Sequence, residues 1–268
     1  MRVSGITHRS EMDGAGGGRR VGAYFVTPDA PSRVVSALEK GVRLTCVDAA
    51  KLHGLWVPLH KGEHVFRPRQ GATRRDVPTQ DGDVVFHGPC LRSWPGTDPV
   101  PDLGLVLHHA ARCLTTVDAA ILIESALNAG VLMRSDLQSL LGGLPAKKRD
   151  SLARVRSDAE SGTETAVRWW LESRLVSVCP QAWIPEVGRV DLLVGNSWVI
   201  ECDSRRFHTA AENYHAYRAR DLRLRARGYT VTRLTWEQVF LAWEQTEEFL
   251  LTILRTRQHR RPVTPYSS

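Results

Sequence analysis

Three acidic side chains in the later part of the chain have the types and spacing for metal-ion chemistry. They fall in the stretch from Gly188 to His208, GRVDLLVGNSWVIECDSRRFH. Val190, Leu192 and Val194 alternate with Asp191 and Leu193. After Gly195-Asn196-Ser197, Trp198, Ile200 and Cys202 alternate with Val199, Glu201 and Asp203. Two apolar runs broken by Gly-Asn predict a hairpin of half-buried strands. Period-two alternation puts Glu201 and Asp203 on one face. Asp191 joins them if it lies opposite Glu201, which requires a three-residue loop, Gly195 to Ser197. The same register sets Val190 against Cys202, Leu192 against Ile200 and Val194 against Trp198; a two-residue loop would mix the faces.

Carboxylates gathered on one face repel one another, and a hard divalent cation is the usual remedy. Mg²⁺ takes oxygens from one or two carboxylates, water and substrate phosphates. With a phosphodiester supplying the remaining oxygens, such an ion activates water and stabilises the leaving oxygen. The bland alternative keeps Glu201 and Asp203 on a solvated sheet face, paired with arginines.

The set Gly188-Arg189-Val190-Asp191, Val199-Ile200-Glu201-Cys202-Asp203 and Phe207-His208 resembles the PD-(D/E)XK nuclease superfamily. Within it the likeness is to very-short-patch mismatch repair endonucleases and the related domain of unknown function 559, and it runs from about Ser157 to Phe240. The resemblance implies that Asp191 is the metal-binding aspartate and Glu201 the acid of the second half-motif. Asp203 stands where the repair enzymes carry a histidine, His208 falls on their second histidine, and Asp221 on the aspartate of the following helix. The superfamily's usual lysine after the second acid is absent, since no lysine follows Lys148, and Ser204 stands where the related family has glycine. The structural zinc of the repair enzymes has no evident ligands.

The elements that must position this set follow from local signals. Ser161-Gly162-Thr163-Glu164 is a capping box opening a helix, with Glu164 returning to the Ser161 backbone N–H. In the resembled families a glutamate here reaches the metal site, and both roles place it at the helix start. Arg168, one turn on, is a partner for Glu164. Thr209–Arg227 reads as a helix closed by Gly228. Tyr214, Tyr217, Asp221 and Leu224 form its inward stripe, and Arg220, Arg223 and Arg227 a basic face. Asp221 then needs a partner, either His208 or an adjacent arginine. A strand over Tyr229–Leu234 and a second capping box, Thr235 to Gln238, lead into a helix to about Arg257.

The fold expected is α/β. A C-terminal restriction-endonuclease-like domain (α-β-β-β-α-β core, mixed sheet) over 157–258 follows a smaller, mainly helical α+β domain over 21–156. Loose tails are expected at 1–20 and 259–268. In the smaller domain, strands are expected at Val21–Val26, His64–Arg67 and Val84–His87, and helices from Ser32 and over Arg43–His53. Four further helices follow between Asp102 and Arg156. His108 and His109 point about 100° apart on one of these and do not share a metal easily.

Composition narrows the classes. A hydrophobic fraction of 42% suffices for packed cores, and no run is long enough for a membrane span. With no apolar leader after Met1, a cytoplasmic location is expected. The five cysteines are scattered without a Cys-x-x-Cys pair and read as reduced buried thiols, not a disulfide frame or zinc site. A net charge of +7 suits a polyanionic partner.

The functional expectation is a Mg²⁺- or Mn²⁺-dependent DNA endonuclease, in repair or defence. Asp191, Glu201 and the Cys202 carbonyl hold the ion, with Asp203 and Glu164 as outer or second-metal ligands. His208, oriented by Asp221, acts as acid or base. Arg205, Arg206, Arg220 and Arg223 hold phosphates, and Phe207 wedges against bases. The alternative is an antitoxin-like DNA-binding regulator that keeps a nuclease fold without turnover.

Overall fold

The computed structural model describes residues 1–11, 18–67, 84–88, 94–203 and 211–263; of 203 and 211–217 only the backbone is described. The protein is mixed α/β and divides into two compact units, Met1–Val155 and Arg156–Ser268. The helical-rich first unit is therefore the longer of the two, contrary to the smaller domain expected. Among the described residues no helix is long and apolar enough to cross a membrane.

The first unit opens with β1 (Ile6–His8), β2 (Arg19–Val21) and β3 (Tyr24–Val26), then α1 (Ser32–Glu39), β4 (Arg43–Leu44), α2 (Cys46–Leu52), β5 (Glu63–Phe66) and β6 (Val84–His87). Four helices complete it: α3 (Leu103–Cys113), α4 (Thr116–Asn128), α5 (Leu137–Leu141) and α6 (Ala146–Leu152). The expected loose N-terminal tail is partly strand. Ile6–His8 pairs antiparallel with β3, and Ile6 is buried because that pairing turns it into the core. The helix expected over Arg43–His53 starts only at Cys46. Arg43 and Leu44 are fully inside, pairing with Phe66 and Val65 of β5, and the Arg43 guanidinium stacks over Trp94 at 4.1 Å. β5 and β6 run parallel, so the sheet order is β4-β5-β6.

The second unit consists of α7 (Gly162–Glu172), β7 (Val178–Ile184), β8 (Gly188–Val194), β9 (Trp198–Asp203), α8 (Ala211–Ala226), β10 (Thr230–Thr235), α9 (Trp236–Phe240) and α10 (Trp243–Arg255). Its sheet order is β10-β9-β8-β7: an antiparallel meander with β10 added parallel to β9. A parallel neighbour needs a crossover, and α8 supplies it. Leu192, Ile200, Trp198 and Val194 form one core with Val167 and Leu171 of α7 and with Leu250 and Ile253 of α10. Val199, Val190, Ala182 and Ile184 cluster with Leu224 of α8. The capping box Thr235/Gln238 forms as expected, but the long helix after it breaks into α9 and α10, with Thr246 Oγ1 bonding back to the Gln238 carbonyl.

The expected hairpin register forms at its closed end, where Leu192 faces Ile200 and Val194 faces Trp198 across Gly195–Ser197. Val190 does not join the Cys202 side as the alternation demanded: it packs with Val199 in the other core. Gly195 has φ +58°, and a Cβ there would meet the His259 carbonyl at 2.4 Å. Asn196 N–H donates to that carbonyl at 2.8 Å and Ser197 Oγ to the Gln258 carbonyl at 2.9 Å. The expected C-terminal tail therefore begins as a docked turn with His259 buried. Nor are all cysteines buried thiols: Cys46 and Cys202 are buried, but Cys113 and Cys179 are exposed.

Candidate active site

Asp191 occupies a gap in the sheet. The β8–β9 ladder stops at Leu192–Ile200, so Asp191 and Glu201 come next in register without backbone pairing. On the other side, pairing of β7 with β8 skips Asp191 and Gln181. Gln181 has φ 51°, a left-handed conformation in the middle of a strand. A non-glycine residue held there costs of order 1–3 kcal/mol, and such residues cluster at functional sites. The backbone groups freed by the gap are taken up by side chains. The Asp191 carboxylate accepts the Cys202 N–H at 2.7 Å.

Glu164 arrives from the first turn of α7. Ser161 caps that helix, its Oγ accepting the Glu164 N–H at 3.2 Å. The return bond of the expected capping box goes elsewhere. Glu164 Oε2 accepts from the Glu160 N–H at 3.1 Å and from Gln181 Nε2 at 2.7 Å. The Gln181 amide thus ties Glu164 to the broken segment of β7. Arg168 turns to Glu172, one turn along α7, at 2.9 Å.

Glu201 is buried on β9, and its Oε1 lies 3.1 Å from an Arg220 Nη without a well-directed hydrogen bond. Arg220 also donates to the Arg189 carbonyl. Arg223 and Arg227 of the same stripe reach the β7–β8 turn, Arg223 to the Glu186 carbonyl and Arg227 to the Pro185 carbonyl and the Glu186 carboxylate. Of the arginines expected to hold phosphates, Arg220 and the exposed Arg223 each reach a backbone carbonyl of the β7–β8 hairpin. Arg220 in particular is a counter-charge inside the carboxylate site.

The electrostatics follow from burial. Glu164 is pushed up to about 7 by loss of solvent and then by the Asp191 charge. Glu201 is pushed up to about 7 by the same two causes, against the pull of Arg220 and Arg233. Burial also raises Asp191 above the usual carboxylate range, while the Cys202 N–H and Arg220 oppose it. Carboxyls so displaced in one place are a mark of functional sites.

The remaining expected site residues fall into four cases. Cys202 is buried beside Asp191, its own N–H committed to that carboxylate. Asp203 ends β9 with its backbone paired to Thr235. Asp221 is held by Arg233 of β10, with bonds of 2.7 and 3.3 Å, so among the described residues an arginine meets its need for a partner. His208, Arg205, Arg206 and Phe207 lie outside the described residues.

Sequence reasoning missed Gln181 and the inward role of Arg220. A glutamine in an apolar strand carries no motif, although Pro180 before it hints at irregular pairing. His108 and His109 do not form a metal pair: His109 Nδ1 bonds Thr45 Oγ1 at 2.8 Å, and His108 bonds the Leu140 carbonyl. The chain matches no protein-family model, no curated protein and no solved structure.

Proposed function

We propose that the second unit is a divalent-cation-dependent endonuclease of restriction-endonuclease-like fold that hydrolyses phosphodiester bonds in DNA. One observation carries this reading: the buried Glu164 and Glu201 and the half-buried Asp191, from three different elements, are placed so that the Asp191 charge acts on both glutamates and burial opposes the charge on all three. The donor set fits a hard cation. Glu201 Oε1 lacks a directed hydrogen bond, and three displaced carboxyls gain by ionising against a dication. Asp191, Glu201 and the Cys202 carbonyl would hold Mg²⁺ or Mn²⁺. The ion would supply Lewis-acid polarisation of the phosphate and activation of water.

The chain's own groups have distinct tasks. Asp191, fixed by the Cys202 N–H, is the pre-oriented ligand. Glu164, buttressed by Gln181 and half-protonated near neutrality, is the group able to accept a proton from the attacking water. Arg220 holds Glu201 in place and offsets negative charge when a phosphate approaches. The helix–three strands–helix–strand order supports the endonuclease-like core.

Labelled intact, nicked, mismatched and single-stranded DNAs incubated with Mg²⁺ or Mn²⁺ test the reading. Cleavage of at least one substrate, abolished in Asp191→Asn and Glu201→Gln with the fold retained, is the expected result. No cleavage of any substrate, with either ion, would sink it.

A second reading draws on Arg220. A guanidinium already facing Glu201 suits a DNA-binding regulator that keeps a nuclease fold without turnover. Calorimetry with Mn²⁺ separates the two, since the regulator gives no binding heat and the nuclease does.

A further inference from the structure

Four side chains in the first unit converge far from one another in sequence. Cys46 at the start of α2, His64 on β5, His87 on β6 and Cys113 at the end of α3 place one ligand atom each within 4.8 Å of all the others. His64 Nδ1 and His87 Nε2 are 3.0 Å apart. In a tetrahedral zinc site with Zn–N of about 2.0–2.1 Å and Zn–S of about 2.3 Å, ligand atoms stand roughly 3.3–3.8 Å apart. The cluster is therefore near binding dimensions already, and closing it needs side-chain movements of about 1 Å. We propose that Cys46, His64, His87 and Cys113 form a structural Zn²⁺ site.

The surroundings orient the ligands as a metal site requires. His64 Nε2 faces the Lys61 carbonyl at 3.2 Å, which fixes the tautomer that leaves the Nδ1 lone pair toward His87. The His64 backbone N–H donates to Asp48 Oδ2 at 2.7 Å, anchoring β5 to α2 beside Cys46. The His87 ring lies between those of His64, at 5.1 Å, and His109, at 5.3 Å. Cys46 has φ 50°, a left-handed conformation for a residue with a Cβ, at the point where β4 turns into α2. Its side chain is thus set by a backbone geometry that a merely apolar core residue does not need.

Charge and coordination favour zinc in a structural role. Two thiolates and two neutral imidazoles leave a Zn²⁺ complex with no net charge, so the buried position carries no unpaired ion. Four protein ligands fill a tetrahedral shell and leave no open position for substrate, unlike a catalytic zinc. Three of the ligands are buried and Cys113 is exposed, which gives the ion a way in. The site joins elements that the sheet alone joins weakly. β6 pairs with β5 over four residues, and the ion would tie both to α2 and α3.

The full chain, purified under reducing conditions without chelator, should carry about one zinc per molecule by elemental analysis. Exchange with Co²⁺ should give the visible bands of tetrahedral cobalt and a thiolate-to-cobalt charge-transfer band. Removing the metal should lower the melting temperature, and Zn²⁺ but not Mg²⁺ should restore it. Cys113→Ser, at an exposed position, should lose most of the zinc, whereas Cys179→Ser, equally exposed in the other unit, should keep it. Wild-type protein with zinc far below one equivalent and no cobalt bands overturns the proposal. So does a Cys46–Cys113 disulfide whose reduced form takes up no metal.

Discussion

Arg220 reaches from α8 to within 3.1 Å of the Glu201 carboxylate on β9, so the acidic cluster contains its own cation. A guanidinium in that place and a bound dication serve overlapping electrostatic ends. Arg220→Ala should therefore destabilise the protein in magnesium-free buffer by about 1–3 kcal/mol, below the cost of breaking a fully buried pair because Arg220 is partly exposed. Added Mg²⁺ should raise the melting temperature of the variant more than that of wild type. Equal increments in thermal melts would show that the arginine and the ion do not share a site.

Gln181 makes an unusual prediction for its own replacement. Its left-handed backbone favours glycine, and its amide holds Glu164. Gln181→Ala loses the amide and keeps the strain; Gln181→Gly loses the amide and relieves the strain. The glycine variant should be the more stable by about 1 kcal/mol, the reverse of the order in an ordinary strand. Denaturant midpoints of the two variants decide it.

The two glutamates predict a pH dependence opposite to that of paired carboxylates. In the folded state Glu164 and Glu201 hold protons up to about pH 7, whereas the unfolded chain releases them in the ordinary carboxylate range. The folded state binds more protons in that window, so stability falls as pH rises through it. Glu164→Gln/Glu201→Gln, which mimics the protonated forms, should match wild type near the bottom of the window and exceed it above about pH 7. Magnesium-free unfolding curves on both proteins, compared at each pH, cancel the other titrating groups.

Gly195→Ala should cost at least about 2 kcal/mol, because it combines a left-handed φ with a clash against the His259 carbonyl. Gly188→Ala is the control: its φ is also positive, at +98°, but open space surrounds it. Its smaller loss of melting temperature isolates the contact.

How much of this was legible depends on how local the signal is. The closed end of the hairpin register followed from period-two alternation and a three-residue loop, both contained in one short stretch. The shift of Val190 to the other core depends instead on the break in pairing with β7. Ser161 as a cap was equally local. The destination of the Glu164 side chain was not, because the Gln181 amide competes with the capping bond from another strand. The stripe of Arg220, Arg223 and Arg227 was read correctly as a stripe, but helical spacing does not say whether a stripe meets solvent or a sheet. Arg43 and Leu44 look helical beside α2, and only pairing with β5 makes them strand. The Cys–His cluster left no trace, since its ligands come singly from four elements, two of them parallel strands separated by a long connection.

The turn at Gly195–Ser197, whose Gly195 N–H already donates to the Ser177 carbonyl, takes its remaining Asn196 and Ser197 side-chain partners from residues made about sixty positions later. A nascent chain must therefore pass through β10, α9 and α10 before that turn can be secured. Until then β8 and β9, which carry Asp191 and Glu201, lack the clasp that holds their shared end. Translation itself thus delays the full clasping of the hairpin that carries Asp191 and Glu201.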